Sequence, residues 1–200
     1  MQRTITISTP AGDMQVAGAI LAGGGATRMG GRPKSFLEVG GRSILERQLD
    51  VLRPLFDELW ISANDGPLYA PFGLPIVSDD VRGAGPLGGL IAVLEAVAAD
   101  RLFVVACDMP YLTAEAVRRV AAAPDADVVV PVVGGRPEPL FARYSRRCAA
   151  AIRARLAAGE RKMTAFHADV EVRVIPEDEL RRLDPELRFL ANCNTPEDLL

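Results

Sequence analysis

One histidine and three cysteines are all the imidazoles and thiols that 200 residues supply. Cys107, Cys148 and Cys193 are odd in number and widely spaced, so they imply neither a zinc-type pairing nor a disulfide framework. A reducing, cytoplasmic setting is expected. No run of about 18 apolar residues occurs, which excludes a membrane-spanning helix. The first fifteen residues lack the apolar core of a secretory signal. A broad basic excess is missing too. The formal net charge is −3, which argues against a general nucleic-acid binder. No internal repeat, low-complexity tract or linker divides the chain. His167, inside TAFHADV, reads as an incidental surface or helix-end residue rather than a general base.

With 49% hydrophobic and 24% charged residues, the chain has the apolar content to bury a core, and its length suits one domain. Residues 1–14 read as a frayed, flexible leader that pairs at most weakly as a strand. Residues 15–200 read as the domain.

Apolar runs and helical spacing alternate along that domain. Val16–Leu21 is a short apolar run ending in glycines, the pattern of a buried parallel strand that opens into a ligand loop. Ile44, Leu45, Leu49 and Leu52 have helical spacing, and Ser43 with Glu46 forms a capping-box signature. Strands are expected at Asp57–Ser62, Leu74–Ser78, 101–108, 127–133 and 170–176. Helices are expected at Pro86–Ala99, after Thr113, over 145–158 up to Gly159, and after Thr195. The alternation implies an α/β fold: an open, mostly parallel sheet with helices on both faces, three layers in all. Such sheets bind ligands beyond the carboxyl ends of their strands.

The segment LAGGGATRMGGRPKSF (Leu21–Phe36) holds five glycines, Arg28, Arg32 and Lys34, and no acid. It is neither a dinucleotide fingerprint nor a P-loop. The first needs glycine at position 28 and the second needs glycine at 28 and 33, where Arg28 and Pro33 stand. The shared physics still applies. Without Cβ atoms, backbone N–H groups can surround phosphate oxygens. Arg28 offers a planar fork and Lys34 a compact charge. The bland alternative is a glycine-rich surface turn with solvated arginines.

Other residues carry two local readings each. Asp108 follows the most apolar strand and suits a Mg²⁺ ligand, yet Asp-x-Pro also favours a turn. Asn64 suits base reading or an Asx turn. Asp79 and Asp80 read locally as a solvated acidic turn, the reading kept for Asp80. Gly88 and Gly89 suit a substrate site before a helix or close helix–sheet packing. Asn192 and Asn194, two apart, face one side of an extended segment, or Asn194 caps the next helix. Cys107 reads as a small buried apolar residue. The basic segment Gly159–Met163 suits contact with a substrate phosphate or a solvated helix end, and the loop 134–143 is left without a role.

The loop, extended through Leu45, resembles the signature L-A-G-G-x-x-x-R-M-G-x-x-K of nucleotidyltransferases with the nucleotide-diphospho-sugar transferase (GT-A-like) fold. The resemblance continues in ISAN (61–64), SDD (78–80), GPLGGL (85–90), CDMP (107–110) and NCNTPEDL (192–199). These ordered blocks are similar to the molybdenum cofactor guanylyltransferase family. That resemblance implies transfer of GMP from GTP to the terminal phosphate of molybdopterin, with release of pyrophosphate. It implies Arg28, Lys34 and Asp108 as catalytic groups, with Asp108 on Mg²⁺. It implies nucleotide contact at Leu21, Ala22, Gly23, Gly24, Lys34, Asn64, Asp79 and Asp108, and substrate contact at Gly88, Asn192 and Asn194. It also implies transient contact with other molybdenum cofactor biosynthesis proteins and molybdoenzyme chaperones. Departures stand at Glu138-Pro139, where the family usually has His-Pro, and at Pro33, where an aspartate is common. The doublet Gly23-Gly24 favours the guanylyl over the cytidylyl form. A cytidylyl donor, a sugar-1-phosphate nucleotidyltransferase and a non-catalytic nucleotide-binding regulator are the alternatives.

Overall fold

The computed structural model describes residues 5–9, 12–23, 33–79, 83–193 of the chain. Its centre is a twisted sheet built from β2 (Gly12–Leu21), β5 (Leu59–Ser62), β6 (Ile76–Val77), β7 (Arg101–Ala106), β8 (Val128–Val133), β10 (Phe141–Ser145) and β11 (Val172–Pro176), in the order β11-β8-β10-β7-β2-β5-β6. Every pairing along this path is parallel except the two made by β10. The short β1 (Thr6–Thr9) folds back on β2, and β9 (Arg136–Pro137) folds back on β8.

Alternation along the strands sorts side chains to two faces. Ile20, Phe103, Val105, Val129 and Phe141 pack towards α1 (Ile44–Leu52), α4 (Ala114–Ala121) and α6 (Glu177–Leu183). Ala17, Ala19, Leu102, Val104, Val128 and Tyr144 pack towards α3 (Pro86–Ala96) and α5 (Ala149–Ala157). The expected three-layer α/β/α arrangement is therefore present. No helix among the described residues is long and apolar enough to cross a membrane.

Local signals account for most boundaries. The capping box of α1 is complete: Glu46 N–H donates to Ser43 Oγ at 3.2 Å, and Ser43 N–H donates to Glu46 Oε2 at 2.8 Å. Thr113 caps α4 through Ala116 N–H. Gly159, at φ +83°, follows the end of α5. The helix expected to reach Ala99 stops at Ala96, because Glu58 accepts the N–H groups of Ala98 and Ala99 at 2.8 and 3.1 Å and turns the chain towards β7.

Several elements differ from expectation, among them α6, which the sequence reading left unassigned. The leader is partly strand: Thr6 pairs with Gln15, and Ile5 is buried, its N–H donating to Leu55 O. The antiparallel β10 has no counterpart in the sequence reading, since Arg143 interrupts its apolar run. That guanidinium is fully buried and donates to the carbonyls of Ala121, Ala123 and Pro124. It thereby satisfies the carboxyl end of α4, a place where cations are favoured. Burial lowers its pKa to about 10. The helix expected after Thr195 lies outside the described residues.

Gly18 sits where β2 crosses Phe56. A Cβ there would stand 2.7 Å from Phe56 Cδ2 and 2.9 Å from Leu59 Cδ1, and Phe56 is already stacked on Phe103. Gly18→Ala is expected to cost about 1–3 kcal/mol by overpacking, read as a lower urea midpoint at unchanged slope; an unchanged midpoint contradicts this packing.

Candidate active site

Four parallel strand tips lie side by side. Leu21 of β2 pairs with Ala106 of β7 on one side and Ser62 of β5 on the other, and Ser62 pairs with Val77 of β6. The next residues stay tied. Ala22 N–H donates to Ser62 O at 2.8 Å, Cys107 N–H to Leu21 O at 3.2 Å, and Ala63 N–H to Val77 O at 3.0 Å. Gly23, Asn64, Asp79 and Asp108 thus emerge along one rim, at the carboxyl ends where open α/β sheets take their ligands. Gly23 is part-exposed, and the nearest described atom to an added Cβ there is Ser62 O at 4.0 Å. Gly24, Arg28, Asp80 and Asn194 lie outside the described residues.

Lys34 reaches the same rim from a 3₁₀ turn, Lys34–Phe36. Its Nζ lies 3.1 Å from Asp108 Oδ2, with the two side chains 33% and 16% exposed. The turn is anchored underneath: the buried Ser35 hydroxyl bonds the Tyr69 hydroxyl at 2.9 Å, and Phe36 packs on Tyr69 and Phe72. From there the chain runs through the hairpin of β3 (Glu38–Val39) and β4 (Arg42–Ser43) directly into α1.

The Asp108 turn is held by α1. Gln48, fully buried, donates from Nε2 to Ala106 O at 2.7 Å and to Met109 O at 3.0 Å, one bond on each side of Asp108. Arg47 donates to Pro110 O at 3.1 Å. Cys193 N–H donates to Asp108 O at 2.8 Å, which brings the exposed Asn192 beside the turn.

On the far side of β2, Asn64 Oδ1 accepts the backbone N–H of Asp79 at 3.0 Å. The Asp79 carboxylate lies against Gly88 in the first turn of α3, so close that any Cβ at position 88 would collide with it. A carboxylate there faces the positive end of the helix. Gly89 is similarly constrained, since a Cβ would stand 2.8 Å from Ser62 Oγ. Both glycines therefore serve close approach of strand-end side chains to the helix.

Other candidates separate from this rim or lose their chemistry. Burial raises the Cys107 thiol to about 12, with the Asp108 charge adding to the effect, so it is protonated and unreactive at neutral pH. His167 lies in a 3₁₀ turn on the path from α5 to the start of β11, packed edge-on against Phe166, and burial lowers its pKa. Arg161 donates to Leu156 O, closing the end of α5.

Gln48 and Arg47 escaped the sequence reading. A signal was present for Gln48: it stands within the apolar stripe Ile44, Leu45, Leu49 and Leu52 of α1, where a polar side chain needs a specific partner.

Residues 18–172 match the family described as the MobA-like NTP transferase domain. A molybdenum cofactor guanylyltransferase of Desulfosudis oleivorans is 35% identical over 186 residues, covering 92% of each chain. The crystal structure of molybdopterin-guanine dinucleotide biosynthesis protein A from Archaeoglobus fulgidus superposes with a TM-score of 0.78 at 27% identity, covering 92% of this chain and 94% of that one. The fold alone is shared with 2-C-methyl-D-erythritol 4-phosphate cytidylyltransferase from Thermus thermophilus, at a TM-score of 0.60, 18% identity, and coverage of 90% and 94%. The architecture is the nucleotide-diphospho-sugar transferase fold.

Two outcomes follow from the turn around Asp108. Gln48→Leu strips both donors from buried carbonyls and is expected to cost about 1–3 kcal/mol, seen in urea unfolding; a loss below the error of the method contradicts the bracing role. The second concerns alkaline pH. Cys107 and Cys148 both have thiols raised from 9.0 to about 12. The unfolded chain therefore releases these protons first, and stability falls as pH rises from 9 towards 12, by up to about 1.4 kcal/mol per pH unit for each thiol. Urea midpoints at pH 8 and pH 10 measure this, and Cys107→Ala should flatten the slope.

Proposed function

This chain belongs to the MobA-like NTP transferase family, and we propose that it transfers GMP from GTP to the terminal phosphate of molybdopterin, forming the guanine dinucleotide cofactor and releasing pyrophosphate. The observation that carries this reading is the Lys34–Asp108 contact of 3.1 Å, made between the 3₁₀ turn that begins at Lys34 and the end of β7. It puts a cation and an acid side by side where a triphosphate can approach bare backbone at Gly23.

Phosphoryl transfer asks for positioning and charge stabilisation more than for covalent chemistry. In this reading Leu21, Ala22, Gly23 and Gly24 present backbone to the nucleotide. Asn64 has its amide oxygen committed to Asp79, which leaves its N–H₂ group to donate to the nucleoside. Asp79, fixed against α3, accepts from the nucleoside side. Lys34 and Arg28 offset the charge that grows on the leaving pyrophosphate. Asn192, beside the Asp108 turn, and Asn194 contact the acceptor, and Gly88 shapes the wall between Asp79 and α3.

Mg²⁺ fits the donor set. It usually takes one or two protein carboxylates together with phosphate oxygens and waters, and Asp108 provides a carboxylate at the rim. When bound, the ion neutralises phosphate charge. Asp108 would hold it, and Lys34 would then turn from Asp108 to a phosphate oxygen. No general base is required, because the attacking phosphate is already anionic at neutral pH. We place the reaction in the cytoplasm, where thiols such as those of Cys107 and Cys148 stay reduced. Transient contact with the proteins that deliver and receive the cofactor belongs to the same reading.

Pyrophosphate release with molybdopterin, Mg²⁺ and either GTP or CTP tests the donor. GTP is expected to be strongly preferred, and a CTP preference contradicts the guanylyl assignment. Lys34→Ala and Asp108→Ala should each lower kcat by at least about 10²-fold, the scale of losing one preorganised electrostatic contact; near-normal turnover in either removes that residue from the mechanism.

A further inference from the structure

On the side of β7 away from β2, the sheet continues through β10 to β8. Because β10 is antiparallel to both neighbours, β8 runs in the direction of β7, and the connection 134–140 returns to the same carboxyl-end rim. This connection is tightly held. Leu140 O accepts Ala106 N–H at 2.9 Å, two residues before Asp108. Glu138 N–H donates to Pro131 O at 2.9 Å, and Glu138 O accepts Phe141 N–H at 3.1 Å. At the tip, Gly134 N–H donates to the Glu177 carboxylate at 2.8 Å. Within this fixed loop the Glu138 carboxyl is half-buried and makes no hydrogen bond or ion pair with any described residue, and burial raises its pKa.

A preorganised, partly desolvated acid with no partner is costly in a folded chain unless a ligand supplies donors. In-line transfer places the acceptor across the α-phosphate from the leaving pyrophosphate. The nucleoside is assigned to the rim over β2, β5 and β6, which leaves the rim over β10 and β8, on the other side of Asp108, for the acceptor. The acceptor's phosphate repels a carboxylate, so Glu138 suits its other end. That end, a pterin, carries adjacent 2-amino and ring N3–H donors, which match the two oxygens of a carboxylate.

Resting on the guanylyl-transfer reading, we propose that Glu138 forms the subsite for the acceptor's heterocycle, accepting hydrogen bonds from the 2-amino and N3–H groups of the pterin. Glu138→Gln, which exchanges one acceptor oxygen for a donor, is expected to raise KM for molybdopterin at least about tenfold, the size of one lost charge-assisted contact. KM for GTP and the melting temperature should hold. A second readout needs no turnover: saturation-transfer NMR with 6-hydroxymethylpterin and with its 2-oxo analogue. The wild-type chain should favour the 2-amino compound, and Glu138→Gln should lose that preference. An unchanged KM for molybdopterin with an unchanged preference overturns the proposal. A rise confined to KM for GTP also overturns it, since Glu138 then serves the nucleotide. Should the wild-type chain transfer no GMP, the guanylyl reading fails by itself, and the NMR comparison still decides for or against Glu138.

Discussion

The contact between Lys34 and Asp108 joins segments 74 residues apart in the chain, and the rest of the rim is arranged around it. Its worth is not mainly stability. With 33% and 16% of the two side chains exposed, solvent screens the attraction, and such pairs contribute little to folding. What the fold secures is proximity. In the proposed reaction, the cation on the 3₁₀ turn and the acid at the end of β7 form a pair that a phosphate-bound cation would separate. Each charge then has a partner on the ligand to replace the one it gives up.

Holding that pair in register requires a rigid support, and α1 supplies it. The chain continues from the Lys34 turn through the β3–β4 hairpin into α1, which reaches under the Asp108 turn with Gln48 and Arg47. Its own start is fixed by the capping box at Ser43 and Glu46. The loop residues proposed to carry function are thus mounted on an element packed against the sheet, which keeps their geometry fixed at the rim. On the other flank, Gly88 and Gly89 let Asp79 and Ser62 press against α3 in the same manner.

Much of this was readable before any coordinates. Alternation of apolar strands and amphipathic helices identified the layers, and cap residues located the starts of α1, α3 and α4. Asp108 could be placed at a strand end because its preceding run is fully apolar. What escaped was long-range. A buried arginine disguised β10, since its partners are the carbonyls of a helix some twenty residues earlier. By local sequence Asp108 reads equally well as a turn residue, and only the family resemblance favours the metal-ligand role. Gln48 had a visible anomaly within an apolar stripe, but its partners across the sheet were not deducible from spacing. The loop at Glu138 departs from the family pattern, and only the β10 crossing shows that it returns to the rim. Gly24, Arg28 and Asn194 stay expectations from the resemblance, since they lie outside the described residues.

The central claim is that Lys34 and Asp108 separate around a cation-bound nucleotide triphosphate. A crystal grown with Mn²⁺ and a non-hydrolysable GTP analogue tests it most directly. The account predicts anomalous density for the ion at the Asp108 carboxylate, with Lys34 Nζ moved from Asp108 onto a phosphate oxygen. A nucleotide bound at the rim with the Lys34–Asp108 contact intact, and the ion elsewhere, would contradict it.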